Sequence, residues 1–490
     1  MKLKLLLTIV LINLAPVLSA AQQLIGDPLN GDAPVDRFGW SVSLSADGSR
    51  LAIGAINNDA SGESAGQVKV YERFNDTWSP LGQDLVGAAP ADLFGFAVSL
   101  SANGKRLVVG ASRSDAAGEN AGQVRIFEEV NGDWVSLGLP INGATIGEEF
   151  GRAVAISGDG NRIVAGARLS SANGELSGQV KVFEWNGSMW EILGEPINGA
   201  PSSEAGHAVA ISQDGQRIAI GAPGNPTVAA QTGQVQIFAL ENGQWVPVGS
   251  PISGKEVGDQ AGWSVSLSGD GNRVAVASRL HAPDLVPAGQ VRLFSWDGTN
   301  WNQTGQDING QVQDEDFGYA ISLSANGERV AIGAPFNTAN GTNAGQIQVF
   351  ELVNDSWLPL GNALQGSAQS SAGLAVALAA DGNSMAFGAP RATVDEEALG
   401  QVRVFDYSMA TATHFPVIAS PLIYPNPTSR ILKVEGGYDH YTIFDSTGKV
   451  VGFSTQASDL LELHHLPAGT YFLQLEIDEQ LSVIKILKED

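Results

Sequence analysis

One unit of about 56 residues occurs seven times along this chain, and this period constrains the fold more than any other feature. A glycine that opens an alternating apolar run recurs every 55 or 56 residues, at Gly39, Gly95, Gly151, Gly206, Gly262, Gly318 and Gly373. A Gly-Gln-Val or Gly-Gln-Ile motif follows with the same spacing, at Gln67, Gln123, Gln179, Gln234, Gln290, Gln346 and Gln401. Repeats of this length predict a solenoid or a propeller.

Each unit contains four stretches in which apolar and polar residues alternate, which is the period of a β-strand. In the first unit they cover residues 42–45, 51–55, 67–72 and 78–86. The first two stretches are joined by Asp47-Gly48, and the third and fourth by Asn75-Asp76, pairs that predict type I′ hairpins. One four-stranded sheet has two open edges and is not stable alone, whereas seven in a ring are. The sequence therefore predicts an all-β, seven-bladed β-propeller.

The two ends of the repeat array predict how the ring closes. The seventh copy stops after residues 402–405 and lacks a fourth strand, while residues 25–31 align with residues 81–87 one repeat later. We therefore expect an N-terminal strand to complete the last blade.

The composition of the chain argues against several kinds of partner and site. With 27 basic against 52 acidic residues the formal charge is −25, which repels phosphate backbones and argues against a nucleic-acid partner. Cysteine is absent, which excludes disulfides, thiolate zinc sites and cysteine nucleophiles.

The first 21 residues have the pattern of a secretory signal peptide. Lys2 and Lys4 precede an apolar run over residues 5–17, and the small residues Ser19, Ala20 and Ala21 follow. We expect cleavage after Ala21, with an uncleaved anchor as the alternative, and no transmembrane helix in the mature chain. The propeller then spans residues 22–409.

Two motifs of the repeat resemble a known family. Phe-Gly opens the inner strand at residues 38–39, 94–95, 150–151 and 317–318, and Gly-Ala-Pro ends the second at 221–223, 333–335 and 388–390. Residues 22–409 thus resemble the FG-GAP repeats of integrin α-chain propellers. Such repeats often carry a calcium loop, but each turn here offers one Asp or Asn, too few for a cation that needs six to eight oxygens. We expect no metal and no cofactor, with calcium as the alternative, and interpret Asp47 and its equivalents as hairpin formers.

Three ordered motifs near the C-terminus resemble the sorting domain of type IX secretion substrates in Bacteroidetes. Their residues are Tyr424, Pro425, Asn426, Pro427, Asp445, Gly448, Lys449, Gly469, Tyr471 and Lys485. The resemblance implies that residues 421–490 engage the type IX secretion machinery, and that the protein is secreted or attached to the outer-membrane surface. From the residues alone, alternating strands with Gly and Pro turns predict a small β-sandwich after a linker at 410–420. An ordinary accessory domain is the alternative.

A propeller gathers its long connections on one face, where we expect ligand binding. An acid lies three residues before the inner-strand glycine in five repeats and one place later in the fourth, and we expect these acids to ring the mouth of the central channel. Loop capping and solubility are their favoured role, and an acidic funnel for a cation or a basic ligand is the alternative. With arginines and histidines of the same loops, the ligand-face candidates are Asp36, Arg37, Asp92, Arg113, Glu148, Arg168, Glu204, His207, Asp259, Arg279, His281, Glu315 and Arg391.

Two sets of aromatic residues occupy fixed columns of the repeat. Tryptophan starts the fourth strand in six copies, and we interpret this column as blade-to-blade packing rather than sugar stacking. The residue after the inner-strand glycine varies instead, as Trp40, Phe96, Arg152, His207, Trp263, Tyr319 and Leu374.

No catalytic motif stands out, and we predict a non-enzymatic function. The most favoured function is a monomeric adhesion or binding module for a glycan or protein. The alternatives are a glycosidase or lyase that uses acids at the channel mouth, with His207 and Glu204 as one conceivable base, and a structural surface-layer component.

Overall fold

The structure, a computed structural model, describes the repeats over residues 22–282 and 287–408. In the C-terminal part it describes residues 423–424, 431–438, 440–445, 450–454, 458–463, 466–477 and 480–488. The chain divides into two compact units at Thr413 and His414. The predicted signal peptide 1–21, the predicted linker 410–420, and Pro425, Asn426, Pro427, Gly448 and Lys449 lie outside the described residues.

The repeats form seven antiparallel sheets, the blades of the predicted propeller. The inner strands are Phe38–Leu44, Phe94–Leu100, Ala153–Ile156, Ala208–Ile211, Ala261–Leu267, Ala320–Leu323 and Ala375–Leu378. The second strands are Arg50–Ala55, Arg106–Ala111, Arg162–Ala167, Arg217–Ala222, Arg273–Ser278, Arg329–Ala334 and Ser384–Ala389. The third strands are Gln67–Phe74, Gln123–Val130, Gln179–Trp185, Gln234–Glu241, Gln290–Trp296, Gln346–Val353 and Gln401–Asp406.

The outer strand of blades 1 to 5 is split into two pieces that both pair with the third strand. The pieces are Thr77–Pro80 and Leu85–Val86, Asp133–Ser136 and Ile141–Asn142, Trp190–Ile192 and Ile197–Asn198, Gln244–Pro247 and Ile252–Ser253, and Trp301–Gln303 and Ile308–Asn309. In blade 6 the outer strand Ser356–Gln365 is continuous.

The N-terminal segment supplies the outer strand of blade 7, which confirms the predicted closure. Gln23–Leu24 and Leu29–Asn30 both pair antiparallel with Gln401–Asp406. Between them, the Ile25 amide donates to the Val404 carbonyl at 2.8 Å. Ile25 is 5% exposed and packs in a cluster with Trp78 of blade 1. The first residues therefore join the last blade to the first.

Seven backbone hydrogen bonds form a closed ring at the tight-turn end of the inner strands. Each donor amide and each acceptor carbonyl belong to the same position of neighbouring blades, at 2.8–2.9 Å. The members are Ala46, Ala102, Gly158, Gln213, Gly269, Ala325 and Ala380, and Ala380 donates back to Ala46. The blades are thus linked directly around the axis at this end.

The tryptophan column links neighbouring blades, as its regular spacing predicts. Each indole Nε1 donates to a backbone carbonyl of the preceding blade, at 2.9–3.1 Å. The donors are Trp78, Trp134, Trp190, Trp245, Trp301 and Trp357. Because Trp78 donates to Ile25, the same contact also secures the N-terminal strand.

The prediction of type I′ turns between the first and second strands is wrong. In the turn at Ser45 to Gly48, Gly48 has a φ of 67° while Asp47 is absent from the positive-φ residues, and the Gly48 amide donates to Ser45. This is the pattern of a type I turn followed by a left-handed glycine. Asp47 instead accepts bonds from the Ser45 hydroxyl and the Ser49 amide. The type I′ pattern, with two successive positive φ values, occurs between third and outer strands, as at Asn75-Asp76.

The C-terminal unit contains two antiparallel sheets. One holds Ile423–Tyr424, Ile431–Tyr438 and Ser458–Glu462, and the other holds Val450–Ser454, His440–Asp445, Gly469–Ile477 and Gln480–Lys488. Leu432 and Leu461 of the first sheet share one hydrophobic core with Ile443 and Leu473 of the second. Their arrangement as a β-sandwich stays a prediction. No helix in the described residues is long and apolar enough to cross a membrane.

Candidate ligand-binding face

The acids three positions before the inner-strand glycine are buried inside their own loops. Asp36, Asp92, Glu148, Asp259 and Glu315 are 2–4% exposed. Asp92, Asp259 and Glu315 each accept hydrogen bonds from the two backbone amides that open the loop. For Asp92, for example, the donors are the amides of Ala88 and Ala89, at 3.1 and 2.9 Å. Glu148 accepts from one amide and from a threonine hydroxyl. These carboxylates cap loops, and they do not form the solvent-facing ring that the sequence suggested.

Three of the buried acids also bond to a side chain in the connection between the second and third strands, and so hold the two loops together. Asn58 Nδ2 donates to Asp36 at 2.7 Å, and Asn337 makes the same bond to Glu315. In blade 5 this position is His281, whose Nδ1 lies 2.9 Å from Asp259 Oδ1. Burial raises the pKa of Asp259, but the hydrogen bonds from His281 and the loop amides outweigh it, so the net shift in pKa is downward. His281 is therefore part of a loop brace.

The variable column after the glycine forms the floor of the face. Its seven side chains together line a cavity of about 160 Å³: Trp40, Phe96, Arg152, His207, Trp263, Tyr319 and Leu374. The inner strands begin here, at the end opposite the tight turns. The residues that surround the channel mouth are thus mainly aromatic, and no acid is among the described residues that line this cavity.

The floor side chains contact one another around much of the ring. The ring centroids of Trp40 and Phe96 are 5.5 Å apart, and those of Trp263 lie 4.3 Å from His207 and 5.7 Å from Tyr319. The Arg152 guanidinium lies 4.7 Å from the Phe96 centroid. Such packing holds the ring faces in fixed positions.

Above the floor lies a column of strained residues, two positions before each glycine. All seven adopt left-handed φ angles between 52° and 60°, although none is glycine: Arg37, Leu93, Glu149, Glu204, Gln260, Asp316 and Ser371. This conformation costs roughly 1–2 kcal/mol per residue, and such strain clusters at functional sites.

Three acids of this column pair with arginines of the second-to-third loops. Arg168 lies 3.0 Å from Glu149 and 3.2 Å from Glu204. Arg279 lies 3.4 Å from Asp316, and its guanidinium carbon is 3.8 Å from the Trp263 ring centroid. Three residues of these pairs are candidates named in the sequence analysis: Arg168 and Glu204 are in direct contact, and Arg279 pairs with Asp316 instead.

A larger recess of about 770 Å³ opens beside the floor. Trp40, Phe96 and Tyr319 line it together with four arginines, Arg37, Arg113, Arg152 and Arg168. Glu63 and Glu149 are the acids of its lining. The recess combines aromatic ring faces with guanidinium groups, which suits a ligand that has apolar faces and acidic substituents.

His207 is the buried titratable group of the floor. Its Nδ1 is 3.8 Å from Glu204 Oε2, too far for a hydrogen bond, and has no hydrogen-bond partner among the described residues. Burial lowers the pKa of His207 to about 4. The imidazole is neutral at physiological pH.

One group in the described part of the chain has a metal-like composition: Glu256, Asp259 and His281. Both oxygens of Asp259 already accept hydrogen bonds, from His281 and from the amides of Lys255 and Glu256. The cluster is satisfied without an ion.

The candidate residues therefore separate into distinct sets. Arg37, Arg113, Arg168 and Arg391 line the recesses, and His207 lies in the floor. At the rim, Arg279 pairs with Asp316 and Glu204 pairs with Arg168. Sequence reasoning listed the buried acids and left out the rest of the floor, although the variability of that column was the available signal. In the C-terminal unit Tyr471 is buried and donates to the Pro467 carbonyl, Gly469 begins a strand, and the side chains of Tyr424, Asp445 and Lys485 are outside the described residues.

Comparison with known proteins agrees with both sequence resemblances. Residues 30–71, 86–127 and 142–183 match the FG-GAP repeat, and residues 422–489 match the secretion system C-terminal sorting domain. No curated protein matches the chain.

Among solved structures, a "putative 6-phosphogluconolactonase" from Bacteroides uniformis is 13% identical and has a TM-score of 0.47. The match covers 67% of this chain and 86% of that one. At this identity and score the likeness carries no argument about this protein. The chain carries FG-GAP repeats in a seven-bladed β-propeller and a type IX secretion sorting domain at its C-terminal end, which indicates export to the cell surface or the extracellular space.

Proposed function

We propose that the propeller is a binding or adhesion module that recognises a glycan or protein through the long-loop face. The observation that carries this proposal is the floor cavity, whose seven lining residues are of six types at one column of an otherwise regular repeat. A purely structural column would repeat, as the tryptophans of the outer strands do. Binding sites commonly lie where variable loop residues are held by a rigid scaffold.

The chemistry of the face favours a glycan. Aromatic ring faces, as at Trp40 and Trp263, offer flat apolar surfaces, and the surrounding arginines offer donors in a planar fork. Most of these side chains are half-buried and held by ring contacts, so little rotamer freedom is lost on binding.

The test is a glycan and matrix-protein array, probed with the full-length chain and with Trp263→Ala. Trp185→Ala is the matched control, because Trp185 ends a third strand, packs against Trp190 of the outer strand and lies outside the cavity lining. We expect reproducible hits that Trp263→Ala weakens about tenfold or more and that the control retains. An array without hits, or hits that the Trp263 variant keeps, would contradict the proposal.

A lyase is the second candidate, and one observation favours it. His207, Tyr319 and Arg152 line the same cavity, so a neutral imidazole, a phenol and a guanidinium face one space. These groups suit removal of a proton beside a carboxylate, with the arginine holding that carboxylate. The glycosidase alternative is less favoured, because the acids three places before the glycine are capped inside loops.

Turnover distinguishes the two candidates. The full-length chain is incubated with polygalacturonate and alginate, and the ultraviolet absorbance of unsaturated products is followed. The binding proposal expects no product. Product formation that His207→Gln abolishes would replace it with the lyase.

A further inference from the structure

The junction between blades 7 and 1 breaks a charge pattern found at two other junctions. Between blades 3 and 4, and between blades 5 and 6, an arginine of the earlier blade pairs with the strained acid of the next: Arg168 with Glu204, and Arg279 with Asp316. At the closing junction the strained position holds Arg37, and the loop of blade 7 supplies Arg391. An arginine thus stands where those two junctions have an acid.

Both arginines line one recess of about 580 Å³, and no acid is among the described residues of its lining. The other polar groups are neutral: Asn57, Thr342, Asn343, Gln369 and Thr393. Neither guanidinium forms an ion pair within the described part of the chain. In a chain with 52 acids and 27 bases, two cations without a counter-charge in one recess are unusual.

The proximity of the two guanidinium groups has an energetic cost that a bound anion would relieve. Arg37 is half-buried, and burial, followed by the nearby charge of Arg391, lowers its pKa. A bound anion would remove the repulsion between the two guanidinium groups, since each can donate two hydrogen bonds to one carboxylate or sulfate.

We infer that the recess between Arg37 and Arg391 is a subsite for an anionic substituent, a sulfate or a carboxylate, of an acidic polysaccharide. This inference rests on the proposed binding role of the same face and specifies the ligand class. Trp40 supports the sugar assignment, because the Arg37 guanidinium carbon lies 5.7 Å from its ring centroid. Arg37 also lines the neighbouring aromatic recess, so a sugar ring beside the anion meets Trp40.

Dextran, carboxymethyl dextran and dextran sulfate of equal length test the subsite, because they share a backbone and differ in charge. Binding of the full-length chain is measured by calorimetry at two salt concentrations. We expect one or both anionic polymers to bind and neutral dextran not to, and the net charge of −25 argues against non-specific capture of a polyanion. Comparing the two anionic polymers tells sulfate from carboxylate.

Two variants locate the site. Arg37→Gln/Arg391→Gln removes both cations and is expected to weaken binding of the preferred polymer by about tenfold or more. The matched control Arg73→Gln/Lys105→Gln removes two positive charges near the tight turns and should bind as the wild type does. Arg37→Glu places an acid beside Arg391, as at the two paired junctions, so it should abolish binding without lowering the melting temperature.

Two results would overturn the subsite. One is that neither anionic polymer binds better than dextran, and the other is that the Arg37/Arg391 variant binds them as tightly as the wild type. In either case, neutral glycan or protein hits on the array that Trp263→Ala weakens would leave the proposed function intact. If both experiments fail, the anion subsite and the proposed binding function are both refuted.

Discussion

Ile25→Ala tests whether the N-terminal strand holds the ring closed. Ile25 is 5% exposed, its amide donates to Val404 of blade 7, and its carbonyl accepts from Trp78 of blade 1. Alanine keeps both backbone bonds and removes only the side chain. The matched control is Leu24→Ala, because Leu24 belongs to the same segment but is 45% exposed.

The expected loss follows from burial. Replacing a fully buried isoleucine by alanine costs about 3 kcal/mol, through the lost transfer free energy and the cavity left behind. For a cooperative unit of roughly 390 residues, the entropy of unfolding is about 0.8 kcal/mol per kelvin, so the melting temperature should fall by roughly 4 °C. Leu24→Ala should cost about 1 kcal/mol or less, since much of that side chain is already in water.

Calorimetry of the two variants and the wild type measures the difference. The account requires Ile25→Ala to melt clearly below Leu24→Ala. Equal melting temperatures for all three proteins would mean that the buried Ile25 side chain contributes nothing to closure.

Three further predictions concern other parts of the propeller. The pKa of His207 is about 4 in the folded state and ordinarily 6.5, so the unfolded chain takes up the proton first as the pH falls. Between pH 7 and pH 4 the wild type should therefore lose roughly 3 kcal/mol of unfolding free energy relative to His207→Gln. Urea titration at the two pH values measures this loss. A chelator should leave the melting temperature unchanged, since Asp47 and its equivalents are satisfied by serine hydroxyls and backbone amides; a clear drop would reveal a metal site. Trp245→Phe should cost about 1–2 kcal/mol in urea unfolding, because the Leu193 carbonyl loses its donor, and an unchanged midpoint would contradict this role for the column.

The sequence was sufficient for features that repeat. Alternation located the strands, the missing fourth strand of the last copy predicted the pairing of Gln23–Leu24 with Gln401–Asp406, and the regular tryptophan column indicated blade contacts. Each of these depends on a pattern that seven copies make visible.

The sequence did not predict the features that depend on local backbone geometry. Asp-Gly fits a type I′ turn and also a type I turn followed by a left-handed glycine, and only the φ angle of Asp47 separates them. The burial of Asp92 likewise depends on two backbone amides that converge on it once the loop is folded. The floor was not predicted as a binding site, because its residues occupy the same position of the repeat but differ in chemical type, as Trp40 and Arg152 do. They line one cavity only when the ring closes.

The most direct test of the central claim, that the long-loop face binds the ligand, is amide hydrogen exchange with and without a polymer or glycan that binds. The account predicts protection in the loops that lead to Trp40, Phe96, Trp263 and Tyr319, with no change at the tight turns around Asp47. Protection confined to the tight turns or the outer strands would contradict it.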